Sequence, residues 1–235
     1  QMCIRDRLIG GVPLEIIIQR SFAGVNNFSY LAIPLFILAG NIMGKGGLTK
    51  RLMAFANAFV GKLSGGTAIT TVITSALFGA VSGSTVATTY AVGSVLVPRL
   101  KEEKYSKSFI ASIIGPAGVL GLIIPPSITM VILGITANIS IGDLFFAGII
   151  PGVLLSLALC IYVWFMSRKK GFGDIRTEKI SGQEFWKVTK EAFLPLLTPI
   201  FILGSIFSGY ATATEAAVIA VVYGFILSLF YKELN

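Results

Sequence analysis

Two short clusters of small, hydroxyl-bearing and proline residues interrupt long apolar stretches of this sequence. Ser82-Gly83-Ser84-Thr85 lies within the run 67–98, and Gly121 and Pro125-Pro126-Ser127 lie within the run 108–139. A broken helix exposes carbonyl groups at the end of its first half and N–H groups at the start of its second half. The carbonyl end attracts a cation such as Na⁺, and the N–H end attracts an anion. The two breaks therefore predict a region that binds both an ion and an anionic ligand.

Hydroxyl groups near these breaks could complete a sodium site. The hydroxyls of Ser82, Ser84 and Thr85 are our candidate ligands for Na⁺, and Thr88 and Ser127 could add two more. The alternative is that serine and glycine only let helices pack closely. Because a second break accompanies the first, we favour the binding site.

Three other polar positions have candidate roles within or beside apolar segments. Asn41 either lines the same region or hydrogen-bonds between helices. Ser140 with Asp143, and Thr212 with Glu215, have the spacing of a helix capping box. We therefore predict that both acids are structural caps.

The residues needed for other kinds of chemistry are missing from the sequence. The chain has no histidine and only two cysteines, Cys3 and Cys160, far apart in sequence. It contains no nucleophile elbow and no phosphate-binding Walker loop. We predict that the chain is not an enzyme and that it uses no cofactor, with sodium as a coupling ion only.

The elements that position these residues are predicted to be membrane helices. Hydrophobic residues make up 54% of the chain and charged residues only 13%, and the mean hydropathy is +0.84. Charge-free runs long enough to cross a bilayer recur along the chain, without the alternation typical of barrel strands. This pattern predicts an all-α polytopic membrane protein that contacts the lipid bilayer.

The predicted elements form a single membrane domain over 8–235. The first seven residues, QMCIRDR, differ from the rest, and we interpret them as non-native sequence. The remainder divides into a helix at 31–44, an interfacial helix at 48–63, a re-entrant hairpin at 67–98, a broken helix at 108–139, a span at 140–166, a cytoplasmic loop and amphipathic helix at 167–194, and spans at 195–208 and 214–231.

The basic residues give the predicted orientation. They cluster between the apolar runs, which is typical of topology signals and does not indicate nucleic-acid binding. If 67–98 is a hairpin, the clusters at 45–62, 101–107 and 168–170 all fall on one side, which is then cytoplasmic. Treating 67–98 as a single span would move the first cluster to the other side.

Five segments in order carry a resemblance to a known family. They resemble the large membrane subunit of tripartite ATP-independent periplasmic (TRAP) transporters, of the dicarboxylate permease type. The segments are IPLFILAGNIMGKGG (33–47), GAVSGSTVATTYAVGSVLVP (79–98), IIPPSITMVILG (123–134), ANISIGDLFFAGIIPG (137–152) and GYATATEAAVIAVVYG (209–224).

The resemblance implies a function and a set of partners. It implies a permease of the bacterial cytoplasmic (inner) membrane that imports small organic acids, carboxylates such as dicarboxylates or sialic acid. A periplasmic binding protein would deliver the substrate, a small membrane subunit would assist, and a sodium gradient would drive uptake. It also implies an elevator-type secondary transporter with inverted repeats, of which this chain is a first part, the second hairpin lying beyond Asn235.

The resemblance also assigns positions, with two departures. Ser82-Gly83-Ser84 matches the tip of the family's first hairpin, and Ile124-Pro125-Pro126-Ser127 matches its adjacent broken helix. Thr88 stands where many members carry aspartate, and Ala213 replaces a proline common before the cap glutamate. Two other functions remain as alternatives: an ion channel or pore built from re-entrant helices, and an intramembrane enzyme.

Overall fold

The computed structural model describes residues 14–172 and 182–231, which form ten α-helices and a short 3₁₀ helix, Phe28–Leu31, with no strand in these two ranges. The predicted non-native segment 1–7 and most of the predicted loop after 167 lie outside them. The helices are α1 (Leu14–Val25), α2 (Ala32–Lys45), α3 (Leu48–Val60), α4 (Gly66–Ser82), α5 (Thr85–Glu102), α6 (Lys107–Ile123), α7 (Ile128–Ala137), α8 (Ile141–Lys170), α9 (Gly182–Phe207) and α10 (Ala213–Phe230).

Several of these helices are long and apolar enough to cross a membrane. They are α8, α9, α10 and the stretch Phe28–Lys45 that includes α2. Helices α6 and α7 form a fifth candidate span, bent by 43° at the break between them. The protein is therefore an all-α polytopic membrane protein, as its composition predicts.

Helices α4 and α5 pack against each other as a hairpin whose two ends meet. The hydroxyl of Thr67, at the start of α4, donates to a carboxylate oxygen of Glu103, just after α5, at 2.6 Å. Arg99 also lies 3.7 Å from the same carboxylate. Both arms pack along α6, so three helices support one tip. That this tip enters the membrane stays a prediction.

The base of the hairpin is joined to the end of α8. A side chain on Gly65, which has a φ of +77°, would place its Cβ 2.5 Å from Ser167. The ring of Tyr105 stacks on that of Phe109, and both rings contact Phe172. Burial at this junction raises the pKa of the Tyr105 hydroxyl to about 12.

Helix α3 differs from the expected interfacial helix in what covers its apolar face. Leu52 is buried in a cluster with Phe78 of α4 and with Val92 and Leu96 of α5. Leu48 and Ala56 on the same face are also buried. Protein therefore covers one side of the predicted apolar stripe, whereas Phe59 on its other side is 57% exposed.

Helix α9 is continuous, whereas the sequence suggests an amphipathic stretch and a separate span. Pro195 lies inside it and has no N–H to donate to the carbonyl of Glu191. The hydroxyl of Tyr231, after α10, donates to that carbonyl at 3.0 Å. A contact from another element thus satisfies the group that the proline leaves without its usual donor, and the helix continues.

Helix α8 extends four residues beyond its predicted end. Arg168, Lys169 and Lys170 form its last turn, where positive charge interacts favourably with the negative end of the helix dipole. The helix ends at Gly171, which has a φ of +64°.

The start of α10 supports a first prediction. Thr212 and Glu215 form a complete capping box, in which the Thr212 N–H donates to the Glu215 carboxylate at 2.7 Å and the Glu215 N–H donates to the Thr212 hydroxyl at 3.4 Å. We expect Thr212→Ala to lower the free energy of unfolding by about 1 kcal/mol. Thr212→Ser keeps the hydroxyl and should unfold like the parent in detergent. Equal loss in both variants would contradict the capping role.

Candidate functional site

The two helix breaks meet at one point in the structure. The backbone N–H of Ile128, at the start of α7, donates to the carbonyl of Gly83, at the hairpin tip, at 3.1 Å. Gly83 has a φ of +61°, and a Cβ on it would lie 2.7 Å from the carbonyl oxygen of Pro126. The tip therefore rests directly on the Pro125-Pro126 segment, whose peptide bond is cis.

This contact brings together the ends of four helices. Helices α4 and α6 end at the breaks with their carbonyl groups, and α5 and α7 begin there with their N–H groups. The partial charges of helix ends are negative at the C-terminus and positive at the N-terminus. The site therefore offers both signs of partial charge over a short distance, without an ionised side chain at either break.

Glycines let the supporting helices approach the tip closely. A Cβ on Gly79 would lie 2.7 Å from the Cα of Gly121, and one on Gly121 would lie 2.6 Å from the Thr88 hydroxyl. From the other side, a Cβ on Gly40 would lie 2.9 Å from the Cβ of Ser82. Backbone therefore packs on backbone around the tip.

The hydroxyl groups at the site are mostly buried. The hydroxyls of Ser82 and Thr88 lie 2.9 Å apart, and these residues are 1% and 0% exposed. Ser127 is fully buried, and its hydroxyl donates to the carbonyl of Leu122 at 2.6 Å. Ser84 is half-buried and caps α5 by accepting from the Ala87 N–H at 3.4 Å. Thr85 beside it is also half-buried.

Most of the predicted site residues thus lie together. Contacts join Ser82 to Thr88, Thr88 to Gly121, and Gly83 to Pro126. The other members are direct neighbours of these residues in the chain, namely Ser84, Thr85, Pro125 and Ser127. Whether they bind sodium or substrate stays a prediction.

Asn41 is placed differently from the other candidates. It is exposed and lines a cavity of about 280 Å³ between α2, α3 and α5, together with Lys45, Tyr90 and Ser94. Its neighbour Gly40 is the residue of α2 that contacts the tip. Gly40 lines the same side groove and contacts Ser82, so this groove adjoins the tip, and a role for Asn41 in the site stays a prediction.

The predicted caps also lie apart from the breaks. Ser140 accepts from the Asp143 N–H at 3.3 Å at the start of α8, and Thr212 caps α10. Ser140 and Thr212 line a cavity of about 500 Å³ with residues such as Asn27 and Asn138. The caps therefore position helix ends at a distinct polar pocket.

Sequence reasoning named Gly83 and Gly121 but missed Gly40 and Gly79, which also support the tip. Gly40 and Gly44 of α2 are four residues apart, as are Gly79 of α4 and Gly83 directly after it, which is the small-residue spacing typical of close helix contacts. That spacing could have identified Gly40 and Gly79. No sequence pattern indicates that Gly121 is the partner of Gly79.

The ligands that this site could offer are neutral oxygens. Across residues 14–172 and 182–231, no cluster of three histidine, cysteine, aspartate or glutamate residues could hold a metal ion. Hydroxyl and carbonyl oxygens suit a hard monovalent cation better than a transition metal.

A polytopic helical protein whose hairpin tip meets a broken helix has the architecture of a secondary membrane transporter.

Comparison with known proteins gives the family. A family model described as the DctM component of the tripartite ATP-independent periplasmic transporter matches residues 6–235. The chain is 41% identical over 228 residues to the isethionate TRAP transporter permease DctMQ of Oleidesulfovibrio alaskensis, which covers 96% of the chain and 36% of that relative. It is 40% identical over 239 residues to a C4-dicarboxylate TRAP transporter large permease of Rhodobacter capsulatus, covering 95% of the chain and 54% of the relative.

A third relative is the sialic acid TRAP transporter large permease of Vibrio cholerae, 37% identical over 220 residues, with 94% of the chain and 51% of the relative covered. This chain belongs to the family of TRAP transporter large permeases, and the predicted resemblance is confirmed. The members of this family are transporter permeases and not enzymes, and the chain is therefore part of a protein of the bacterial cytoplasmic membrane. It spans between about a third and about half of the length of these relatives.

The close contact at the tip gives a second prediction. In Gly83→Ala, the added methyl group would lie 2.7 Å from the Pro126 carbonyl oxygen. The alanine would also have to adopt the left-handed backbone conformation of Gly83. Gly209→Ala is the matched control, since Gly209 has a φ of +76° but nothing lies within 4 Å of its Cβ position. The backbone conformation alone costs roughly 1–2 kcal/mol.

We therefore expect Gly83→Ala to destabilise the protein well beyond Gly209→Ala, measured by thermal unfolding in detergent. Equal destabilisation would mean that the tip can move away from the broken helix without cost.

Proposed function

We propose that this chain is part of a permease that imports an organic anion together with sodium ions. The contact between the Ile128 N–H and the Gly83 carbonyl carries this proposal, because it brings two helix breaks into one site. Discontinuous helices of this kind provide carbonyl ends for a coupling ion and N–H ends for an anionic substrate.

The sodium site is proposed at the hairpin tip. Ser82 and Thr88 already approach each other at 2.9 Å, so their hydroxyls could serve one ion together with backbone carbonyls at the end of α4. The half-buried Ser84 and Thr85 begin α5 on the accessible side of the same tip. Thr88 is neutral, whereas the family resemblance implies an aspartate at this position in many members, so the ion would be held here by neutral oxygens.

The substrate class follows from the relatives. Their names state isethionate, C4-dicarboxylate and sialic acid as substrates, all of them organic acids. We infer a small organic acid for this chain too, with its acidic group facing the N-terminal ends of α5 and α7, where the helix dipoles favour negative charge.

The partners follow from the family description. Its members are components of tripartite periplasmic transporters, so we propose a small membrane subunit and a periplasmic substrate-binding protein as partners. The binding protein would hand the anion to the site.

An elevator movement is proposed for the transport step. The hairpin α4–α5, helix α6 and the end of α8 are linked by the Thr67–Glu103 hydrogen bond and by the Tyr105, Phe109 and Phe172 rings. These links would let the hairpin and the broken helix move as one body past the rest of the protein.

Uptake by the full-length parent tests the proposal. The parent would be reconstituted in proteoliposomes with its small subunit and binding protein, and uptake of labelled organic acids measured with and without a sodium gradient. We expect uptake to need both the binding protein and sodium. Conductance alone, or uptake independent of both, would contradict the proposal and favour a pore.

A pair of serine variants tests the position of the ion. Ser84→Ala removes a hydroxyl at the tip, and we expect it to raise the sodium concentration needed for half-maximal uptake at least several-fold. Ser94→Ala is the control, since Ser94 lies on the exposed face of the same helix and donates to its own backbone at Ala91. An unchanged sodium dependence in Ser84→Ala would place the ion elsewhere.

A further inference from the structure

A long apolar groove lies beside the hairpin, between α4, α8 and α9. Its volume is about 870 Å³, and it reaches from Leu63 and Ile69 at one end to Ala80 and Ile124 at the other. Polar atoms are scarce along it, and the hydroxyl of Ser156 is already satisfied by the Gly152 carbonyl at 2.7 Å. An occupant of this groove would therefore meet almost only hydrocarbon.

The length of the groove matches one leaflet of a bilayer. Its wall on α8 runs from Val153 to Trp164, and its wall on α4 runs from Ile69 to Ala80. Eleven residues of helix extend about 16 Å, roughly half of the 30 Å hydrocarbon core.

Two basic residues flank one end of the groove, which we call its basic end, although neither is among the residues that line it. Lys62 lies between Val60 and Leu63, which both line the groove. The guanidinium of Arg168 lies 5.6 Å from the ring centroid of Trp164, the last groove residue of α8. Tryptophan and basic side chains are typical of the membrane–water interface, where they meet lipid headgroups.

An occupant with an apolar body and a negatively charged end fits both the apolar lining of the groove and the basic side chains beside it.

We propose that this groove binds an anionic phospholipid. One acyl chain would lie along α4 and α8, and the headgroup phosphate would lie between Lys62 and Arg168. The end of the acyl chain would reach Ile124, which lies between the end of α6 and Pro125. The bound lipid would thus pack against the back of both helix breaks.

The charge of the headgroup is tested by native mass spectrometry of the full-length permease. The delipidated protein would be titrated with phosphatidylglycerol and with phosphatidylcholine. We expect the protein to retain phosphatidylglycerol in preference to phosphatidylcholine. The double variant Lys62→Gln with Arg168→Gln should weaken phosphatidylglycerol binding roughly thirtyfold, because each basic residue contributes about 1 kcal/mol.

A matched double variant controls for the loss of charge and of a cation–π contact. Lys50→Gln with Lys190→Gln also removes two positive charges, and Lys190 stacks on Trp186 at 5.4 Å as Arg168 does on Trp164. Unlike Lys62, which precedes Leu63, and Arg168, which lies over Trp164, neither control lysine is adjacent in the chain to a groove residue or stacks on one. This control should keep phosphatidylglycerol affinity; equal loss in both double variants would overturn the specific site.

The acyl chain is tested by fluorescence. Brominated phosphatidylglycerol should quench Trp164, read as the difference between the parent and Trp164→Phe. Cys160→Phe, which fills the groove, should abolish that quenching, whereas Leu155→Phe, on the same helix outside the groove, should not. Absence of quenching in the parent would mean that protein covers the groove and would overturn the proposal, as would equal affinity for both lipids.

Discussion

The hydrogen bond between the Ile128 N–H and the Gly83 carbonyl is the contact on which the site depends. A helix that stops within an apolar environment leaves backbone groups without partners, and each such group is costly in hydrocarbon. Here the two interrupted helices satisfy each other, one offering a carbonyl and the other an N–H. The hairpin and the broken helix are therefore joined directly through their two breaks.

The surroundings of this bond explain the distribution of small residues. The contact requires α4 to lie against α6 and α2 at backbone distance, which only glycine allows at Gly79, Gly121 and Gly40. The opposite end of the hairpin is joined in another way, by a partly buried hydroxyl–carboxylate hydrogen bond and a cluster of aromatic rings. Close backbone packing thus fixes the tip, and side-chain contacts fix the base. As a result, polar oxygen atoms are found at the tip of the hairpin, whereas helices α4 and α5 present apolar surface along their length.

Several features of the fold could be predicted from local sequence, and others could not. The capping box at Thr212 and Glu215 forms as its spacing indicates, because cap and partner are three residues apart. The ends of α4 and α6 follow from Gly83 and Pro125, since both residues act on their own backbone. The continuity of α9 through Pro195 was missed, because the group that compensates for it comes from Tyr231, far away in sequence. The burial of one side of the α3 stripe was missed for the same reason.

The sequence by itself determined the class of protein, the helical segments and the positions of the two breaks. These depend on composition, on the spacing of apolar residues and on the backbone properties of glycine and proline, which are all set by residues close together in the chain. Only the tertiary structure decided that the breaks touch, that Ser82 and Thr88 face each other, and that Asn41 lies in a side groove. It also decided where an apolar groove with a basic end is left between α4, α8 and α9. The physical reason is that such contacts depend on how the helices cross, which is set by packing between residues distant in the chain.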